Sequence, residues 1–191
     1  MSKVHLVHGA FNKNASGWED LSSEIVAAGL EPAVYDYGWV GPVTTRRRSR
    51  EAGADLAAKV GADEHVVAFS NGGLVAWEAL DAGMECDRMV LVMPALAKDV
   101  SFPAGVNKVY VLYNRFDWAV ELSRFWSWLN PFGWTEGGWG AMGRQGPTTG
   151  DSRVEAIDTE QENGSRGHLG WRRTDAEYWM PRIVELLEGD E

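Results

Sequence analysis

One cysteine, Cys86, is all the chain contains, which rules out an internal disulfide and any two-cysteine metal or redox motif. A lone thiol near the end of a helical stretch reads as a small packed side chain, in keeping with a reducing compartment. Long hydrophobic runs are also missing, and nothing approaches the roughly 20 apolar residues that span a bilayer. The opening MSKVHLVHGAF sets one lysine before a run too short and too polar for the core of a secretion signal. It reads instead as the first strand of a cytoplasmic protein. Positive charge is scarce: 18 Lys and Arg face 28 Asp and Glu, a formal net charge of −10 that argues against nucleic acid as a partner. No internal repeat, linker, metal-ligand spacing or phosphate-binding glycine loop is present, so neither a metal nor an organic cofactor is expected.

What is present is ordinary globular material. A chain of 191 residues, 45% hydrophobic and 24% charged, reads as a single domain over 1–191 that buries roughly 70% of its unfolded surface. Its one basic cluster, RRRSR at 46–50, reads as a solvated helix face balanced by Glu51 and Asp55, with a phosphate or acidic headgroup as the alternative. Apolar, β-branched runs at 4–8, 33–37, 65–70, 88–94, 108–114 and 154–158 read as strands. Helical patterns fall between them. Ser16 with Glu19 forms a capping box before apolar positions 18, 21, 25 and 26, and residues 46–60 and 73–83 follow suit. A second box, Thr174 with Glu177, opens the stretch 174–187, which Pro181 divides into two short helices. Continuous apolar strands alternating with helices imply an α/β three-layer sandwich. Its central, mostly parallel sheet has about six strands, helices cover both faces, and any site lies at the strands' carboxyl ends.

Within this pattern HVVAFSNGGLVAW (65–77) turns from strand to helix in about three residues, with Ser70 on the corner. Such a serine projects from the carboxyl edge of the sheet when its neighbours two before and two after are small, here Ala68 and Gly72. The usual pattern is G-x-S-x-G, from which Ala68 departs while keeping a small side chain. The plainer reading is a serine that caps the following helix. Strand one ends in His8-Gly9-Ala10-Phe11, and its carboxyl end lies beside Ser70 in a parallel sheet. The backbone NH groups of Ala10 and Asn71 are therefore the candidate donors to the oxyanion of an acyl-transfer intermediate. His8 reads as structural, shaping that turn.

VHLVHGAF, followed by Trp18 and Leu21, and then AFSNGG resemble the α/β-hydrolase superfamily, loosely over residues 3–170. The resemblance implies a chain order of nucleophile, acid and histidine. On that order Asp117, just past the strand KVYVLYN, is the acid, with Asp158 as rival. His168 in NGSRGHLGW is the base, being the one histidine after Ser70. His5 and His65 fall within or before strands and read as structural. Only ALAKDVSFPAGV separates Pro94 from the next strand, leaving no room for the cap domain many members carry. The chain thus looks like a compact lipase-like or cutinase-like version; the HGA turn also resembles the small-ester methylesterase and hydroxynitrile lyase branch.

The segment 118–143 holds half of the ten tryptophans, broken by Gly and Pro. Over 118–150 it reads either as an apolar lid or pocket wall or as a secondary core beneath a long loop. As a wall it makes Phe11, Trp118, Trp126 and Trp128 the substrate-binding residues, and contact with a membrane surface is conceivable. The implied activity is hydrolysis of a small-molecule or lipid carboxylic ester through an acyl-enzyme. Alternatives are thioesterase or amidase chemistry, a cell-envelope or lipid esterase, or a non-catalytic ligand-binding protein on the same fold. Oligomeric state is left open.

Overall fold

The computed structural model describes residues 1–10, 17–40, 45–119 and 140–189. Six strands, β1 (Lys3–Val7), β2 (Glu31–Tyr35), β3 (His65–Phe69), β4 (Cys86–Val92), β5 (Val106–Tyr113) and β6 (Val154–Asp158), form one sheet in the order β2-β1-β3-β4-β5-β6. Every neighbouring pair is parallel. The described helices are α1 (Glu19–Ala27), α2 (Thr45–Ala57), α3 (Asn71–Asp81), α4 (Met142–Gln145), α5 (Thr159–Asn163), α6 (Gly170–Arg173) and α7 (Ala176–Glu188).

Alternation along the strands splits the apolar side chains between two cores. Val7, Val66, Ala68, Met89, Leu91, Val109 and Val111 meet Leu56 of α2 and Val75, Ala79 and Leu80 of α3. Val4, Leu6, Val67, Phe69, Val90, Val92 and Leu112 meet Leu21 and Ile25 of α1 and Trp179, Ile183 and Leu187 of α7. Both faces of the sheet are therefore covered, as the run of apolar strands requires. Reversal of strand order on either side of β1 opens the switch point between the carboxyl ends of β1 and β3, where ligands enter open parallel sheets.

Most element boundaries shift by one to three residues from the sequence pattern, and the C-terminal helix differs in kind. β2 runs from Glu31 to Tyr35 rather than over 33–37, because its pairing with β1 begins at Lys3 and Glu31. Pro32 is tolerated there since β2 is an edge strand, whose unpaired side needs no donor. α2 stops at Ala57 rather than running to residue 60. At the C-terminus the two short helices divided at Pro181 are instead one continuous α7. Proline in its second turn removes one helical hydrogen bond, at about 3 kcal/mol. Burying Trp179, Met180, Ile183, Val184, Leu186 and Leu187, at roughly 1.5–3 kcal/mol for each large apolar side chain, outweighs that.

The second expected capping box does not form, and the first rests on a residue outside the described ones. Ser16 lies outside the described residues, and Glu19 accepts from the Gly17 amide (2.9 Å). Asp175, not Thr174, stands at the N-cap of α7 and makes no side-chain cap, its carboxylate accepting from Ser165 Oγ (2.7 Å).

Candidate active site

Ser70 occupies the turn from β3 into α3 with φ 55° and ψ −119°, a region that non-glycine residues rarely enter and that costs of order 1–3 kcal/mol. The surroundings over-determine this backbone. Its amide donates to Val92 O (2.9 Å), and its carbonyl accepts from the amides of Gly73 and Ala95 (3.0 Å each). Such a corner needs absent side chains beside it. A Cβ on Gly72 would lie 2.3 Å from Val7 O and 2.6 Å from His8 O, and one on Gly73 2.8 Å from the Pro94 Cβ. Strand one and helix α3 therefore approach as closely as a bare backbone allows. Ser70 stands in their angle, its hydroxyl at the carboxyl edge of the sheet.

The side chains the sequence reading singled out meet here. His168 Nε2 is 3.0 Å from Ser70 Oγ, and His168 Nδ1 is 2.8 Å from Asp117 Oδ2. Asp117 has no exposed surface, and its Oδ1 accepts from the Ala119 amide (3.1 Å). A carboxylate facing Nδ1 keeps the proton on that nitrogen, leaving the Nε2 lone pair for the serine hydroxyl. The imidazole rests on the Phe69 ring (centroids 4.8 Å apart), whose other contacts include the Arg172 guanidinium at 5.1 Å. The result is a buried carboxylate, an oriented imidazole and a half-buried hydroxyl in line.

The β1 turn closes the other side. A Cβ on Gly9 would come within 3.1 Å of the Ser70 Cβ, so the backbone leading into Ala10 runs against the serine. His8 is buried and structural: its Nδ1 pairs with Gly9 O (2.7 Å), its Nε2 with Asp36 (3.2 Å), and its ring stacks on Tyr37 at 4.1 Å. The Tyr37 hydroxyl donates to His8 O (2.7 Å) and accepts from Asn71 Nδ2 (3.2 Å), while Asn71 Nδ2 also reaches Ser49 Oγ in α2 (3.2 Å). Burial holds the Tyr37 hydroxyl above its ordinary range, so it remains a donor.

Other candidates fall elsewhere. Asp158 caps α5, accepting from the amides of Glu160 (3.0 Å) and Gln161 (3.4 Å), and is not the carboxylate that meets His168. In the middle of β1, His5 pairs with Glu64 (2.8 Å), and at the amino end of β3 His65 lies 3.8 Å from Asp87. Trp118 is exposed beside Asp117, as is Phe116, whose ring centroid lies 5.1 Å from both the Arg115 and the Arg166 guanidinium groups. Phe11, Trp126 and Trp128 lie outside the described residues, as does most of the aromatic segment. Among the described residues no group of three or more His, Cys, Asp or Glu is arranged to hold a metal ion, and no helix is long and apolar enough to cross a membrane.

Sequence reasoning passed over two residues. Tyr37 reads only as the end of a strand. Asn114 reads as the last residue of the strand 108–114, yet it lies just past β5, is fully buried, and its side chain makes four hydrogen bonds. An asparagine closing an apolar strand three residues before the candidate acid is the one hint of it.

Sheet order, layering and strand-to-helix corner together define the α/β-hydrolase fold. Among solved structures the chain is similar to a protein assigned to the alpha/beta hydrolase superfamily from Xanthomonas campestris pv. campestris, with TM-score 0.57 and 14% identity over 97% of this chain and 99% of that one. It is also similar to a pyrethroid hydrolase from Sphingobium faniae (TM-score 0.56, 10% identity, 98% of each chain). An esterase from Exiguobacterium antarcticum gives TM-score 0.58 and 12% identity over 99% of this chain and 92% of that one. No protein-family model matches the sequence, and no curated protein does.

Proposed function

We propose that the protein is a serine hydrolase that cleaves carboxylic esters through an acyl-enzyme. The observation that carries this reading is the continuous chain from Ser70 Oγ through His168 to the buried Asp117, with contacts of 3.0 and 2.8 Å. A serine hydroxyl alone is a weak nucleophile at neutral pH, and this arrangement is what activates it. As Oγ attacks the ester carbonyl carbon, its proton passes to Nε2, and Asp117 stabilises the imidazolium so formed. Negative charge on the carbonyl oxygen is met by the backbone NH groups of Ala10 and Asn71, each such donor being worth about two to three orders of magnitude in rate. Collapse expels the alcohol, which takes the Nε2 proton, and leaves the acyl group on Ser70. Water then gives a proton to Nε2 and attacks the acyl carbon. The second collapse releases the acid and returns the proton to Oγ.

An ester with an apolar acyl group suits the rim. Trp118 and Phe116 stand exposed next to Asp117; Phe11, Trp126 and Trp128, outside the described residues, are proposed from the sequence as the wall for the acyl group. An esterase and a pyrethroid hydrolase stand among the similar structures, in keeping with ester chemistry on this fold. p-Nitrophenyl esters of increasing acyl length test both parts. Turnover lost in Ser70→Ala, with an optimum above acetyl that Trp126→Ala and Trp128→Ala shorten, is the expected result. Absence of turnover by folded protein contradicts the activity, and an unchanged chain-length profile contradicts the wall.

A further inference from the structure

Deepening that reading, on which it rests, we infer that Asn114 is the positioning residue that sets acid and base in register, holding the Asp117 and His168 loops with one side-chain amide. Asp117 follows β5, whereas His168 lies beyond α5, 51 residues further along the chain. Neither sits on a regular element, and both depend on how their loops are tied. Asn114 Oδ1 accepts from the Phe116 amide (3.0 Å) and from the Gly167 amide (3.2 Å). These are the residues immediately before Asp117 and His168, so a single oxygen fixes the approach to both. On the other side of the same group, Nδ2 donates to Ser165 O (2.6 Å) in the histidine loop and to Thr159 Oγ1 (2.8 Å) at the start of α5. The backbone adds to this, since the Asp117 amide donates to Asn114 O (2.9 Å).

The amide is fully used: two donors, and two amides on the acceptor oxygen, with no exposed surface. Buried and complete, such a network is stiff. Removing its acceptor strands two buried NH groups on two separate loops, and the relaxation is felt where the loops meet, at the 2.8 Å contact between Nδ1 and Oδ2. A shift of about 1 Å there costs roughly a hundredfold in rate. Asn114 itself is fully buried and offers substrate no surface, and a short-chain ester makes little use of the Phe116 rim, so the effect falls on kcat.

The test compares wild type, Asn114→Ala, Asn114→Ser and Thr159→Val on one short-chain p-nitrophenyl ester, with folding checked by circular dichroism. Thr159→Val removes one Nδ2 partner and leaves both amides on Oδ1, so it reports stability without the positioning. The expected result is a kcat about a hundredfold lower in Asn114→Ala at unchanged KM. The acid limb of its pH profile moves to lower pH as the carboxylate loosens its hold on the imidazolium. Thr159→Val keeps the wild-type kcat and acid limb. Should Asn114→Ala fail to fold, Asn114→Ser, which leaves a hydroxyl too short to reach both amides, is read in its place. A folded Asn114 variant with kcat within twofold of wild type and the same acid limb overturns the inference. Loss of kcat in Thr159→Val equal to that in the Asn114 variant also overturns it, by reducing the effect to stability. Wild type without turnover contradicts the hydrolase itself, a different outcome.

Discussion

Ser70 holds a backbone conformation that a helix-capping serine has no reason to adopt, and its side chain makes no cap on α3. Strain at one residue, held by hydrogen bonds from β4 and α3, is the local cost of presenting a hydroxyl at the sheet edge. Gly72 shows how narrow the tolerance is: Gly72→Ala puts a methyl group 2.3 Å from Val7 O, and chemical denaturation should show a loss of about 1–3 kcal/mol or more. The two carboxylates weighed from the sequence separate equally sharply. Asp117→Asn should leave the fold intact and lower kcat by about four orders of magnitude, because the amide orients the wrong imidazole tautomer. Asp158→Ala should leave kcat unchanged and cost about 1 kcal/mol in stability through loss of the α5 cap. Burial, with the Asp87 charge adding, pushes the Cys86 thiol up to about 12. Iodoacetamide at pH 8 should therefore modify it only after denaturation.

At the scale of elements, β1, β3 and the turns beyond them place the serine corner, and sequence pattern alone is enough to find them. Apolar strand runs are legible because a parallel strand buried on both faces has no polar positions to blur it. The serine corner is legible because close approach of strand and helix demands glycine, and Gly72 and Gly73 are there. Asp117 and His168 came only through the resemblance in chain order, since nothing in loop composition distinguishes an acid that meets an imidazole from one that caps a helix. Less legible were features set by tertiary contacts. Pro181 reads as a break until the six buried side chains of α7 are weighed against it. Asp36 and Tyr37 read as strand, but they leave β2 because Asp36 accepts from the Gly38 amide (2.8 Å) and Tyr37 serves His8 and Asn71. Tyr37→Phe should lower kcat about tenfold at constant KM, since removal of a buried hydrogen bond costs about 1 kcal/mol or more on the segments carrying both proposed oxyanion donors. Steady-state kinetics on a single ester checks it.

Across the whole molecule, six parallel strands between two helical layers make a frame whose strand-to-helix turns gather at the carboxyl end of the sheet. The amino end of β3 holds His65, whose chemistry concerns stability. Desolvation holds the His65 imidazole below its ordinary 6.5, with Asp87 acting the other way. The unfolded chain therefore binds more protons than the native one just below that pH, and stability falls as pH drops through 6.5. Thermal melts from pH 7.5 to 5 should show a smaller loss in His65→Gln than in wild type. The most direct measurement is covalent: a fluorophosphonate incubated with wild type and with Ser70→Ala, read by intact mass and peptide mapping. One adduct per chain on Ser70, absent in the variant and accompanied by loss of p-nitrophenyl ester turnover, is the result a serine hydrolase requires. Folded wild type that takes up no label and turns over no ester would contradict it and leave a ligand-binding protein on a hydrolase fold.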